Sequence, residues 1–112
     1  MAKFTADLRG DFDSTVKAIE AGVLSASTSA TLEDGCDFTS GQTRCAVRVF
    51  ERYSWFGGNR VSMNVTMFEG EDGVIRLCAI TSGGSQAMFY KINTVGEEAF
   101  LDTIKNVVQQ MC

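Results

Sequence analysis

Four cysteines, fourteen carboxylates and ten basic side chains supply the reactive groups of this 112-residue chain, and it has no histidine. Without an imidazole the commonest general base is missing, and Ser-His-Asp and Cys-His arrangements are excluded. Most carboxylates stand where turns and helix starts use them. Asp34, Asp37, Glu71 and Asp72 lie in glycine-bearing stretches, and Asp11, Asp13, Glu97 and Glu98 precede or open apolar helical periods. Glu51 differs, because the alternation of its strand turns it inward, where a carboxylate needs a partner. No acid–base pair can be named. No catalytic residue is therefore expected, and an enzyme ranks behind two binding readings.

The cysteines, Cys36, Cys45, Cys78 and Cys112, form no C-x-x-C pair, so neither a zinc site nor any other metal or cofactor is expected. Cys45 and Cys78 fall in strand patterns as small apolar residues, Cys112 is a terminal thiol, and Cys36 sits in a Gly- and Asp-rich stretch without a neighbouring base. The glycine runs GGNR at 57–60 and SGGS at 82–85 do not fit phosphate-loop spacing and read as turns between strands.

Two groups of residues point to binding. Arg44, Arg48 and Arg52 recur at every fourth position of a strand and share a face with Phe50. Phe68, Cys78 and Ile80 fall on the same face of neighbouring strands. Large apolar side chains on an open sheet, rimmed by arginines, resemble a protein interface, and a face-to-face homodimer is the simplest cover. The second group is a row of small side chains, Ala26, Thr28 and Ala30, with Met63, Met67 and Met88. They would line a pocket between the sheet and the C-terminal helix for a small apolar ligand. The formal charge of −4 speaks against nucleic acid as a partner. No stretch has the length and hydropathy to span a membrane, and the first residues carry no apolar signal core, so a cytoplasmic location is expected.

The elements that must position these residues follow from periodicity. A single domain over 1–112 is expected from length. Residues 3–9 alternate, with Phe4, Ala6 and Leu8 inward. After Gly10, Asp11 or Asp13 can cap a helix whose apolar face is Phe12, Val16, Ile19 and Val23, with Gly22 as its stop. Period-two patterning over Leu24–Glu33 predicts a strand, closed by a turn at Asp34-Gly35. The next strand places Cys45, Val47, Val49, Tyr53 and Trp55 inward. A three-residue loop at 57–59 then sets Trp55 against Val61 and Val49 against Met67, with Glu51 opposite Val65. Gly70–Gly73 turns the chain into a strand with Ile75, Leu77 and Ala79 inward, and 86–92 forms a last short strand. Thr94 and Glu97 match a capping box ahead of a stripe of Phe100, Leu101, Ile104, Val107, Val108 and Met111. The order is β-α-β-β-β-β-β-α: an α+β fold with an antiparallel sheet of five or six strands and both helices on one face.

The stretches RCAVRVFERYS, GGNRVSMNVTMFE and AITSGGSQAMFYKINTVGEEAFLD resemble a family of small bacterial proteins of about this length with no assigned activity. The likeness runs over nearly the whole chain. It implies a self-contained domain and brings no catalytic residues. At fold level only, the element order is similar to helix-grip lipid-binding domains and to small TATA-binding-protein-like two-layer sheets.

Overall fold

The computed structural model describes residues 1–54, 59–83 and 90–111, and of these the side chains of 54, 59 and 90–96 lie outside the description. Its elements are β1 (Ala2–Leu8), α1 (Phe12–Ala26), β2 (Thr31–Ser40), β3 (Thr43–Ser54), β4 (Asn59–Glu69), β5 (Ile75–Gly83) and α2 (Tyr90–Met111). All strand pairings are antiparallel, in the order β1-β5-β4-β3-β2. The fold is α+β, with five described strands.

α1 begins where Asp11 accepts hydrogen bonds from the backbone N–H and the hydroxyl of Ser14, both at 2.9 Å. These bonds hold the Asp11 carboxyl below its ordinary pKa, the backbone N–H contributing most. Phe12, Val16, Ile19 and Val23 are buried, as their spacing predicts. The helix does not stop at Gly22. It runs to Ala26, so the strand expected over Leu24–Glu33 is helix for its first three residues and begins at Thr31. Alternating Ser and Ala offers too little apolar contrast to set a two-residue period. Gly22 has another task. A Cβ there would stand 2.5 and 2.7 Å from the Val107 methyls, so its absence lets α1 and α2 pack closely.

The sheet's inner face follows from its registers. One row reads Phe4, Ala79, Val65, Arg48, Gly35 and the next Ala6, Leu77, Met67, Ala46, Asp37, from β1 across to β2. α2 lies over β5, β1 and β4, and α1 packs on α2 and leans toward β2. Phe100, Leu101, Ile104 and Val108 of α2 join the strand residues in one core. Burying each large apolar side chain contributes ~1.5–3 kcal/mol, which makes this layer the main source of stability.

Four further expectations fail. First, Asp34-Gly35 is not a turn. Both residues lie in β2, beside a bulge between Leu32 and Asp34, and the chain reverses at Gly41-Gln42 with Gly41 at φ 60°. A two-residue hairpin loop favours glycine at its first position, where the left-handed region is required. Second, β3 presents its other face. Ser54 pairs with Asn59, so four residues separate the last pair. That change of parity flips every β3 side chain. Phe50 then faces Met63 and Ala46 faces Met67, both fully buried, while Val47, Val49 and Tyr53 turn outward. Third, Glu51 points outward opposite Ser62 and accepts a hydrogen bond from Arg60 Nε at 2.9 Å. Fourth, α2 starts at Tyr90, so residues 90–92 are helical and Thr94–Glu97 lies inside the helix. Trp55, the loop positions 57–58 and residues 84–89 lie outside the described residues.

Candidate functional site

Among the described residues no element covers the second face of the sheet, and its rows can be read strand by strand. One runs Thr5, Cys78, Thr66, Val47, Cys36, and the next Asp7, Arg76, Phe68, Cys45, Phe38. A third runs Lys3, Ile80, Asn64, Val49, Asp34. The apolar members form a broken band along β3: Cys45, Val47 and Val49, with Phe38 and Phe68 either side of Cys45, Ile80 beyond Asn64 and Tyr53 beyond Glu51. Phe38 is 63% exposed, Tyr53 51%, Phe68 42% and Ile80 38%. Beside Phe68 the face dips into a shallow depression of about 340 Å³, lined by Thr5, Asp7, Thr66, Arg76 and Cys78 among others.

The residues expected to form one arginine-rimmed interface are thus divided between the two faces. Phe68 and Ile80 stand on the open side. Phe50 is fully buried beneath the helices, and Arg44, Arg48 and Arg52 share its face. Their charge does not force them outward, because each finds a cover or a partner. Arg44 lies over the Phe12 ring at 4.7 Å and donates to Asp13 at 2.6 Å. That hydrogen bond raises the Arg44 pKa and lowers that of Asp13. Arg52 lies over the fully buried Phe100 ring at 5.0 Å, and its partial burial pulls its pKa below the ordinary value.

Arg48 is the most committed of the three. Its Nε donates to Glu20 at 2.6 Å and its terminal nitrogens to Asp37 at 2.9 and 3.3 Å, with a further bond to the Val47 carbonyl at 2.9 Å. The Asp37 bonds are the largest cause of its raised pKa. Opposite it, Gly35 leaves the room: a Cβ there would meet Arg48 Cδ at 2.9 Å and a terminal nitrogen at 3.1 Å. A groove of about 390 Å³ runs between α1 and this corner, lined by Phe12, Asp13, Val16, Lys17, Glu20, Asp37, Arg44 and Arg48. Both of its arginines reach carboxylates of its own lining, which ties α1 to the β2–β3 hairpin across it.

The residues assigned to an apolar pocket do not converge. Met63 and Met67 are fully packed in the core, Ala26 and Thr28 are exposed at and beyond the end of α1, and Ala30 is half-buried. Met88 lies outside the described residues. Neither of the two cavities above is lined by these methionines. Cys36, Cys45 and Cys78 all occupy the open face, and among the described residues no three ligand-type side chains group to hold a metal ion.

One polar residue escapes sequence reasoning. Glu97, read there as a capping side chain, is buried. It accepts from the Gly83 N–H at 2.5 Å, and its other carboxylate oxygen lies 2.6 Å from the Met1 amino group. Thr81 donates to its carbonyl at 3.1 Å. These contacts stitch α2 to the end of β5 and the start of β1. Only its inward placement on α2 marks it, and that depends on where the helix begins.

The whole chain, residues 1–112, matches the model of a family of unknown function, DUF6054, and the protein belongs to that family. No curated protein and no solved structure matches it. No described helix is long and apolar enough to cross a membrane.

Proposed function

We propose that this member of the family is a non-catalytic assembly module that stacks the open face of its sheet on that of a second copy. The observation that carries the reading is the exposed band of Phe38, Tyr53, Phe68 and Ile80 on a face that no described element covers. A band of that kind on one sheet face is the usual mark of a contact surface.

Size and charge favour a second copy. Five strands at ~4.8 Å and seven residues at ~3.3 Å span roughly 550 Å² in projection. Side-chain relief brings this toward the ~800 Å² per partner of a stable interface. The open face carries Lys3, Arg60 and Arg76 against Asp7, Asp34 and Glu51, with Glu33 of the β2 bulge also beside Arg60, so its net charge is −1. The chain as a whole carries −4. Two such faces meet with charges of both signs close to balance, and so with less repulsion than the −4 of the whole chain would impose.

Native mass spectrometry in reducing buffer tests this. The wild-type chain is expected to associate at micromolar concentration, and the Phe38→Glu/Phe68→Glu double variant to lose that contact while keeping its far-UV spectrum. A monomeric wild type, or an assembly indifferent to both substitutions, overturns the reading.

A further inference from the structure

The two edges of the sheet are built differently, and one of them fits its own copy. β2 forms one edge. All ten of its residues are exposed, it is bulged after Leu32, and it carries Glu33, Asp34 and Asp37. Pairing β2 with another β2 would crowd carboxylates along a broken ladder, a common means of blocking edge association. Among the described residues β1 forms the other edge, pairing only with β5. It is unbulged over seven residues, and only two of these are charged, Lys3 and Asp7, one of each sign.

Lys3 and Asp7 stand two residues either side of Thr5, and all three are exposed on the open face. An antiparallel pair centred on Thr5 therefore sets Lys3 of each strand opposite Asp7 of the other. On the inner face the same register sets Phe4 against Ala6 and Ala2 against Leu8, so apolar residues meet apolar residues. Phe4 and Ala6 are inner-row side chains that the chain leaves only half-buried. From this charge and apolar self-complementarity we infer that β1 pairs antiparallel with the β1 of a second copy about a two-fold axis at Thr5, joining two sheets into one of ten strands.

The axis stands perpendicular to the sheet, so both helical layers stay on one side and the open faces merge into one wider surface. The edge contact uses none of the apolar band and does not rest on the face-to-face reading. If both contacts form and their perpendicular two-fold axes intersect, four chains close into a tetramer.

Charge exchange on the exposed positions tests the register by native mass spectrometry and sedimentation. Lys3→Glu places carboxylates opposite Asp7, and Asp7→Lys places ammonium groups opposite Lys3. Each variant alone is expected to weaken the edge contact at least ten-fold, about 1.4 kcal/mol, and to halve the mass of the wild-type assembly. An equimolar mixture of the two is expected to restore that mass, since each new charge then meets its opposite across the axis. Thr5→Lys, which faces its own copy on the axis and leaves Asp7 beside Arg76, is expected to give the same loss without rescue by mixing. Unchanged mass in Lys3→Glu and Thr5→Lys, or failure of folded single variants to rescue one another, overturns the inference. An assembly indifferent to Phe38→Glu/Phe68→Glu, with these charge effects retained, would sink the face reading alone.

Discussion

The inner face of the sheet has two halves that are closed by different physics. Under α2, β1, β5 and β4 present Leu8, Ala79, Leu77, Val65 and Met67, and the seal is apolar area. Toward β2 the same rows end in arginines, a glycine and an acid: Arg48 opposite Gly35, Ala46 opposite Asp37, Arg44 opposite Thr39. There α1 is held over the sheet by guanidinium bridges to Asp13, Glu20 and Asp37. The contrast teaches that a helix can be seated on strands too polar to bury, provided the cations have apolar planes beneath them and carboxylates on both flanking elements.

Phe50 stands at the seam, an apolar residue on the arginine strand. Phe50→Ala is expected to cost ~3–5 kcal/mol in chemical denaturation, as a fully buried aromatic does when truncated. A loss under ~1 kcal/mol would mean that the arginine half carries the core by itself. Next in size, Gly22→Ala drives a methyl into Val107 and is expected to cost ~1–3 kcal/mol by overpacking, despite the better helix propensity of alanine. Adding Val107→Ala should recover part of that loss, and the absence of recovery would place the strain elsewhere.

Arg48→Met keeps the apolar stem and removes the bridge. With Glu20 and Asp37 partly open to water, the expected cost is ~1–2 kcal/mol, below that of Phe50→Ala. A larger loss from Arg48→Met would reverse the ranking of the two halves. The smallest effect is the response to acid. Asp13 and Asp72 are held below their ordinary pKa by hydrogen bonds from Arg44 and Arg76, and Asp11 by its cap bonds. Their folded values lie below their unfolded ones, so their contribution is whole above about pH 4 and is lost as pH falls through the folded values. Thermal unfolding between pH 6 and 2.5 should show that decline, shallower in Asp13→Asn. A chain equally stable across the range would remove these ion pairs from the account.

Where one face is fully covered, periodicity alone was enough. The inward residues of β1, β4 and β5 and the stripes of α1 and α2 are legible because their apolar positions recur at a clear period of two or ~3.6; in the α2 stripe only Met111 departs, being exposed. β3 was not legible. Cys45, Val47, Val49 and Tyr53 on one side outweigh Ala46 and Phe50 on the other once arginines are counted as solvent-facing. The groups that make Arg48 an inner residue lie 28 and 11 positions away in the chain, at Glu20 and Asp37. β2 was obscure for a related reason: exposed along its length and held by its ladder to β3, it needs no hydrophobic pattern.

The apolar band of the open face was half visible, in Phe68 and Ile80, and half hidden, Tyr53 by that same flip and Phe38 because β2 itself was obscure. What the sequence by itself determined is the α+β layering, through local alternation and helical spacing acting on neighbouring residues. Which face of β3 meets the helices, and therefore which aromatics remain exposed, was decided only in the tertiary structure. A change of one residue in the β3–β4 connection inverts a whole strand, and only the distant carboxylates and rings that receive the arginines settle which inversion is stable.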